Sequence, residues 1–252
     1  MSLEIDEILP TFNPLIYTGL EGVSPCMLSY LAYKMKEVLI TPTPIYEFNL
    51  LDNSIINEVL GEVQKLTYTN NTNNLISEEM YYHRGLFDWI GSCLEEVRKI
   101  YYIDSIKLVI TNCWATRTNF ASKHSRHVHH NAMVGGILYF SDAECGKTRF
   151  IEKNPWLRHT YDQFFVTSDQ DKSPFNQLST LITPERGKLI LYPSHLEHET
   201  TANLEKKFRY VLAFDAFFTG RILHNAEWPY CEITSTSVED VYNKMHGNMR
   251  RN

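Results

Sequence analysis

The sequence predicts a mainly β protein with flanking helices, and three features lead to this prediction. Aromatic residues make up 13% of the 252 residues, with 15 Tyr and 13 Phe, a composition that suits sheet layers. Two stretches with helical periodicity precede Asp104. Beyond that residue the apolar residues come in short runs separated by turn residues, which is typical of an antiparallel sandwich or barrel.

A single domain is expected, because 252 residues can bury one sizeable core and no Gly/Ser-rich or Pro-rich linker divides the chain. We divide 1–252 into an N-terminal extension (1–38), an extended segment with supporting helices (39–104), a β core (105–218) and a C-terminal extension (219–252). The prediction is one β core with additions at both ends.

The elements before the β core are predicted from prolines, a helix cap and apolar spacing. Residues 40–50 should be extended, because each residue that precedes a proline is pushed towards β geometry. Asp52 is placed to cap a helix over 54–66, and a second helix is predicted over 86–101 from its apolar spacing. The Asn-rich stretch 68–74 between them is predicted to be a loop.

The remaining elements follow from the same patterns. Strands are predicted over 106–117, 133–140, 148–151, 163–167, 187–192 and 209–218. Further helices are predicted over 27–38 and over 237–249, the second with Ser237 as its cap.

Charge and cysteine usage limit the classes of partner and compartment. The net charge of −6 and the pI near 5.9 do not favour nucleic acid or an anionic membrane as a partner. The five cysteines are odd in number and never spaced as CxxC, which is typical of a reducing compartment without a disulfide framework. No apolar run approaches membrane-spanning length and the first ten residues do not resemble a signal peptide, so we expect a cytoplasmic protein. The sequence leaves its oligomeric state open.

A cluster of histidines lies directly before the strand predicted to begin at residue 133. On an extended segment, residues two apart point the same way, so His127 and His129 can face one metal ion while His130 points away from it. A two-residue motif of this kind also occurs by chance in a polar loop, so it needs further evidence. Asn131 and His130 stay open as alternative ligands.

A second pair of histidines, His195 and His198, follows a predicted strand further along the chain. Antiparallel strands could bring either of them beside the first pair, which would complete three imidazole ligands. Three imidazoles with open coordination positions suit Fe(II) or Zn(II) and are typical of catalytic rather than structural sites. Arg209 stands in an otherwise apolar strand. It is either a surface residue at the barrel mouth or an inward-pointing residue whose guanidinium binds a carboxylate through two hydrogen bonds.

In combination these residues resemble the Fe(II)/2-oxoglutarate oxygenase superfamily, and most closely a group of prokaryotic and phage oxygenases within it. The matching segments are His127-Val-His129-His-Asn131, Gly136-Ile-Leu-Tyr139, Gly187-Lys-Leu-Ile-Leu-Tyr-Pro-Ser194, His198 and Arg209-Tyr-Val-Leu-Ala-Phe214. The stretch Gly146-Lys-Thr-Arg-Phe150 is also similar to a turn of prolyl-hydroxylase-like members. The resemblance implies a double-stranded β-helix, a jelly roll of the cupin-like kind, over 105–218.

The resemblance also implies the chemistry. It points to a Fe(II)- and 2-oxoglutarate-dependent dioxygenase, a hydroxylase that releases succinate and CO2. His127, His129 and His198 would be the metal ligands and the catalytic centre, and His198 is preferred to His195 because it matches the family position. The cosubstrates would be 2-oxoglutarate and O2, and the primary substrate would be a small molecule or a peptidyl side chain.

The cosubstrate contacts are implied in the same way. Arg209 would pair with the distal carboxylate of 2-oxoglutarate, while Tyr139 and Thr148 would contact the same molecule. Trp114 is expected to pack in the core, and His124 is expected to be a solvated loop residue.

One departure from the superfamily keeps two other functions open. Most members have an acidic residue where this chain has His129, and a neutral imidazole there leaves an iron centre one unit more positive. One alternative is a three-histidine cupin-like metalloenzyme that does not use 2-oxoglutarate. The other is a non-catalytic metal-binding interaction module.

Overall fold

The computed structural model describes residues 43–71, 74–101, 105–141, 145–151, 179–222 and 231–247. The helix predicted over 27–38 and the strand predicted over 163–167 lie outside these ranges. Residues from Thr43 onward group as one compact unit, while the division of the whole chain into a single domain with two extensions stays a prediction. None of the described helices is long and apolar enough to cross a membrane. The cytoplasmic location stays a prediction.

Within the described residues there are eleven strands and three helices. The strands are β1 (Tyr46–Asn49), β2 (Tyr68–Asn71), β3 (Asn74–Ser77), β4 (Ile106–Thr118), β5 (Val134–Tyr139), β6 (Thr148–Ile151), β7 (Ser179–Ile182), β8 (Lys188–Pro193), β9 (Glu197–Thr200), β10 (Arg209–Ile222) and β11 (Cys231–Ile233). The helices are α1 (Asn53–Val63), α2 (Arg84–Tyr101) and α3 (Val238–Gly247). The prediction of a mainly β protein with flanking helices is confirmed.

The helix caps form as the sequence predicts. The Asp52 carboxylate accepts hydrogen bonds from the backbone N–H groups of Ser54 at 2.9 Å and Ile55 at 3.4 Å, and so caps α1. The Ser237 hydroxyl accepts from the Asp240 N–H at 3.1 Å, which caps α3. Short polar side chains therefore determine where these two helices begin.

The loop predicted over 68–74 is wrong. Its described residues belong to two strands, since β2 pairs with β3 in the antiparallel direction, with Tyr68 opposite Ser77. β3 in turn pairs with β4 through Leu75 and Ile76. The Asn-rich sequence has low strand propensity, and pairing with a long neighbouring strand overrides that preference.

Two antiparallel sheets form the body of the protein. The larger sheet has the order β1-β8-β5-β10-β4-β3-β2, with β11 added beside β10, and the smaller one has the order β7-β6-β9. The sequence did not predict β7, β9 or β11. In β9 the segment Glu197–Thr200 is wholly polar, so its strand conformation depends on pairing with β6 and not on an apolar pattern.

The central strands of the larger sheet bury both faces. In β8, Leu189 and Leu191 belong to the core cluster that contains the helices, whereas Ile190 and Tyr192 belong to the cluster that contains Phe150 of the smaller sheet. This alternation is the period of two expected of a strand. The space between the two sheets is where the candidate site lies.

β10 follows the same alternation over its whole first half. Leu212 and Phe214 face the helix side, while Arg209 and Val211 lie on the opposite face. The polar residues at odd-numbered positions of this half, Arg209 and Asp215, therefore point into the space between the sheets.

Candidate metal centre

Three histidines from two distant parts of the chain meet between the two sheets. His127, His129 and His198 each offer one ring nitrogen, and these three atoms lie within 4.8 Å of one another. Backbone hydrogen bonds bring the segments together, because His127 and His198 exchange two N–H to carbonyl bonds of 3.0 Å. The His129 N–H also donates to the Ser194 carbonyl at 3.0 Å. The sheet framework thus holds the histidine loop against the end of β8 and the start of β9.

Each of the three imidazoles already uses its Nδ1 atom in a hydrogen bond. His127 Nδ1 lies 2.8 Å from the Ser125 carbonyl, His198 Nδ1 lies 3.0 Å from the Leu196 carbonyl, and His129 Nδ1 lies 2.5 Å from a carboxylate oxygen of Asp215. A carbonyl or carboxylate oxygen accepts, so each Nδ1 carries a proton, and in the neutral form of such an imidazole Nε2 holds the lone pair. The three Nε2 atoms are therefore the ones available to a metal ion.

The charge state of the rings also suits a metal. Burial lowers the pKa of His198 to about 3, and the neighbouring His127 adds to the effect. Burial lowers the pKa of His127 as well, below its usual value near 6.5. The two rings are neutral at neutral pH, which is the form of imidazole that binds a metal.

A narrow slot of about 30 Å³ runs from the histidines to Arg209. The Arg209 side chain is only 2% exposed, and burial lowers the pKa of its guanidinium, which nevertheless stays charged. Its Nη2 donates to the Thr148 hydroxyl at 3.5 Å, but its Nε has no hydrogen-bond partner among the described residues. No carboxylate in the described ranges lies within ion-pair distance of it. A buried cation with an unused donor fits an anionic ligand group.

Tyr139 and Thr148 stand around Arg209. The Tyr139 hydroxyl lies 2.7 Å from the Thr148 hydroxyl oxygen, and the guanidinium carbon of Arg209 lies 5.6 Å from the centre of the Tyr139 ring. Burial raises the pKa of Tyr139 to about 12, so its hydroxyl keeps its proton. The three residues that the sequence associates with the cosubstrate are thus neighbours, with Arg209 at the slot surface.

A wider cleft of about 630 Å³ opens beside His127 and His129. Trp114 and His124 line both this cleft and the slot. The Trp114 ring stacks on His129 with centroids 5.6 Å apart, and the His124 ring lies 4.3 Å from that of His127. The cleft therefore reaches the histidines from the side of β4.

Two expectations about these neighbours are wrong. Trp114 does not pack in the core, because it lies on the site-facing side of β4 while Cys113 and Ala115 face the helices. His124 is half-buried, and burial lowers its pKa to about 4, with His127 and Arg209 adding to the effect. The alternation along β4 was the signal that could have placed Trp114 in the site.

The other candidate ligands do not join the cluster. His130 and Asn131 are exposed, and Asn131 occupies the left-handed region with φ 59°, which asparagine tolerates well in a turn. His195 is exposed at the turn between β8 and β9, whereas His198 is 3% exposed. The structure therefore brings His198 and not His195 beside the first pair.

One polar residue of the site, Asp215, was missed by the sequence reasoning, which ranked another, Tyr192, below Tyr139 as a contact of the cosubstrate. Asp215 contacts His129, and the fully buried Tyr192 places its hydroxyl 3.4 Å from Nε2 of His129 and 3.3 Å from Nε2 of His198. A Cβ atom on Gly135 would lie 2.8 Å from that hydroxyl, so a glycine is needed at this position. Asp215 shares the strand face of Arg209, and this alternation was a usable signal.

Residues 112–215 match a family model described as "Putative 2OG-Fe(II) oxygenase". The resemblance to the 2OG-Fe(II) oxygenases is confirmed. The matched segment includes the three histidines as well as Arg209 and Asp215. No curated protein sequence matches the chain.

Solved structures include one similar fold with a TM-score of 0.50 and others with lower scores. The non-heme alpha ketoglutarate dependent epimerase SnoN from nogalamycin biosynthesis superposes with a TM-score of 0.50 at 10% identity, over 79% of this chain and 92% of that one. HygX from Streptomyces hygroscopicus, solved with nickel and 2-oxoglutarate bound, gives 0.46 at 16% identity, over 69% and 82%. A Pseudomonas putida prolyl-4-hydroxylase gives 0.47 at 11% identity, over 69% and 92%. The two antiparallel sheets and the likeness in fold to SnoN confirm the predicted double-stranded β-helix.

Proposed function

We propose that this oxygenase binds Fe(II) through His127, His129 and His198 and uses 2-oxoglutarate and O2 to hydroxylate an unidentified substrate. The observation that carries the proposal is the convergence of three histidines, with one ring nitrogen of each within 4.8 Å of the others, whose Nδ1 atoms are hydrogen-bonded to other groups. Such outer hydrogen bonds are the usual support of a metal-binding histidine. Three protein ligands also leave positions open, as a catalytic metal requires.

Arg209 is the proposed partner of the distal carboxylate of 2-oxoglutarate. Its guanidinium is buried, lacks a carboxylate partner in the described ranges, and lines the slot that starts at the histidines. Tyr139 and Thr148 contact the guanidinium, through the ring contact and the hydroxyl contact described above, and are proposed to contact 2-oxoglutarate together with it. The bound dicarboxylate would neutralise a charge that is costly to bury alone.

The wider cleft is the proposed entrance for the primary substrate. It reaches His127 and His129 and is large enough, at about 630 Å³, for a small molecule or a peptidyl side chain. When bound, iron supplies the activation of O2 that no protein side chain provides. The overall reaction takes 2-oxoglutarate, O2 and a substrate C–H group to succinate, CO2 and a C–OH group.

Anaerobic addition of Fe(II) and then 2-oxoglutarate tests the proposal. Wild-type protein should develop a weak visible charge-transfer band, and admission of O2 should then release succinate. His198→Ala should lose both signals, while His195→Ala, which changes an exposed histidine in the turn before β9, should keep them.

The alternatives give different results in the same experiment. Metal binding that depends on His198, without any binding or decomposition of 2-oxoglutarate, would indicate the three-histidine enzyme that does not use this cosubstrate. The proposed metal site would be wrong if the wild-type protein bound no Fe(II), or if the His198→Ala variant bound Fe(II) as well as wild type does.

A further inference from the structure

Asp215 forms the closest outer contact of the histidine cluster. One of its carboxylate oxygens lies 2.5 Å from Nδ1 of His129, and the two side chains are 15% and 6% exposed. The other two histidines contact neutral carbonyl groups, so His129 alone is paired with an anion. A charge-assisted hydrogen bond in a site shielded from solvent is stronger than one between neutral groups.

The strand geometry places this carboxylate beside the ring. Asp215 shares with Arg209 and Val211 the face of β10 that points into the space between the sheets. The register shift between Asp215 and Ala216 skips one residue of β4 and none of β10, so the alternation of β10 continues through Asp215. Trp114 stacks on the His129 ring, so the ring is fixed by its stacking face as well as by its Nδ1 atom.

The carboxylate of Asp215 forms no ion pair with a lysine or an arginine among the described residues. Among the described residues, His129 is its only ion-pair partner. The described lining of the cleft contains no Lys or Arg, although it contains Glu78 and Glu79 at its exposed rim. The negative charge of Asp215 is therefore directed at the imidazole.

We propose that Asp215 is a positioning residue that acts through His129 and supplies the metal centre with the negative charge that an acidic ligand would otherwise provide. By accepting the Nδ1 proton in a short hydrogen bond, the carboxylate increases the electron density at Nε2 and makes the imidazole a stronger donor. The inference rests on the proposed function, because it assigns His129 as a ligand. It accounts for how a site with three neutral imidazoles holds a divalent cation.

The test compares Asp215→Asn with wild type, because asparagine has the same shape and can keep a hydrogen bond while losing the charge. Fe(II) affinity is measured anaerobically without 2-oxoglutarate, and the Fe(III)/Fe(II) midpoint potential is measured on the loaded proteins. Asp215→Asn should bind Fe(II) roughly 10- to 100-fold more weakly, as outer-contact variants of metal sites do. Its midpoint potential should rise, because loss of a negative charge destabilises Fe(III) more than Fe(II).

Glu79→Gln is the matched control, since it removes one negative charge from the same cleft without contact to a histidine. Its affinity and midpoint potential should stay at the wild-type values. If Asp215→Asn behaves like wild type in both measurements, or if Glu79→Gln shifts them equally, the inference fails. A residue with a merely structural role would leave the potential of the folded variant unchanged.

A measurement on wild type alone keeps the inference testable if Asp215→Asn does not fold. In the Zn(II)-loaded protein, histidine ¹H–¹⁵N spectra should show His129 bound through Nε2, with a strongly downfield Nδ1 proton. Absence of that proton would overturn the role of Asp215. Failure of the proposed function is distinguishable, because metal binding would then be insensitive to His198→Ala whatever the result at Asp215.

Discussion

Replacement of Arg209 by Met should make the metal-free protein more stable and at the same time remove most of its affinity for 2-oxoglutarate. The Arg209 guanidinium is 2% exposed, its Nε lacks a partner in the described part of the chain, and its one hydrogen bond there is a long 3.5 Å contact to Thr148. Replacing a buried ion pair by apolar side chains of similar volume often stabilises a protein, by about 1–4 kcal/mol, and Arg209 has no carboxylate among the described residues to offset its desolvation. The free energy of unfolding should therefore increase.

The loss of 2-oxoglutarate affinity in the Arg209→Met variant can be estimated separately. Removing one partner of a buried ion pair costs about 3–5 kcal/mol, which corresponds to roughly a hundredfold to several thousandfold in the dissociation constant. Titration of 2-oxoglutarate into Ni(II)-loaded protein by calorimetry measures this directly. Thermal unfolding of the metal-free protein measures the change in stability.

Two controls test whether the loss of affinity depends on the distal carboxylate of 2-oxoglutarate. Arg149→Met changes an arginine of β6 that is 41% exposed and paired with Glu199 at 2.9 Å, and it should leave 2-oxoglutarate binding unchanged. The compound 2-oxopentanoate, which has the same chain without the distal carboxylate, should bind wild type and Arg209→Met about equally. Tight binding of 2-oxoglutarate by Arg209→Met would refute the reasoning, as would a lower stability of that variant without ligand.

Two further predictions concern the histidines and their buried neighbour. An unfolded histidine takes up a proton near pH 6.5, while His198 in the folded protein stays neutral down to about pH 3. The metal-free protein should therefore lose stability as the pH falls through this window, by about 1.4 kcal/mol per pH unit for one such group. His198→Gln should reduce this slope in pH-dependent denaturant unfolding and the exposed His195→Gln should not, and equal slopes would show that burial of His198 does not govern the effect. Metal binding would use the Nε2 lone pairs of His129 and His198, so the Tyr192 hydroxyl should then donate to an oxygen of the cosubstrate instead. Tyr192→Phe should therefore weaken 2-oxoglutarate binding about fivefold, for about 1 kcal/mol, without weakening metal binding. Unchanged 2-oxoglutarate affinity in the same calorimetric titration would contradict that role.

Local patterns in the sequence predict much of the secondary structure. The apolar runs of β4, β5, β8 and β10 and the Asp52 cap of α1 are visible without coordinates, because strand alternation and capping depend on neighbours within a few residues. The prediction of a loop at 68–74 was wrong, and β9 was not predicted, because neither strand can be recognised from its neighbours in the sequence. These strands are polar, and only pairing with another strand makes them extended.

The sequence by itself determined which residue types were present for chemistry: a pair of histidines two apart, a later histidine and an arginine in an apolar strand. It left His195 and His198 both possible, and it gave Asp215 no role. The tertiary structure decided these points, because the backbone bridge between His127 and His198 and the contact of Asp215 with His129 join segments far apart in the chain. Spacing along a chain specifies which way a side chain points, whereas the packing of two sheets specifies what it meets.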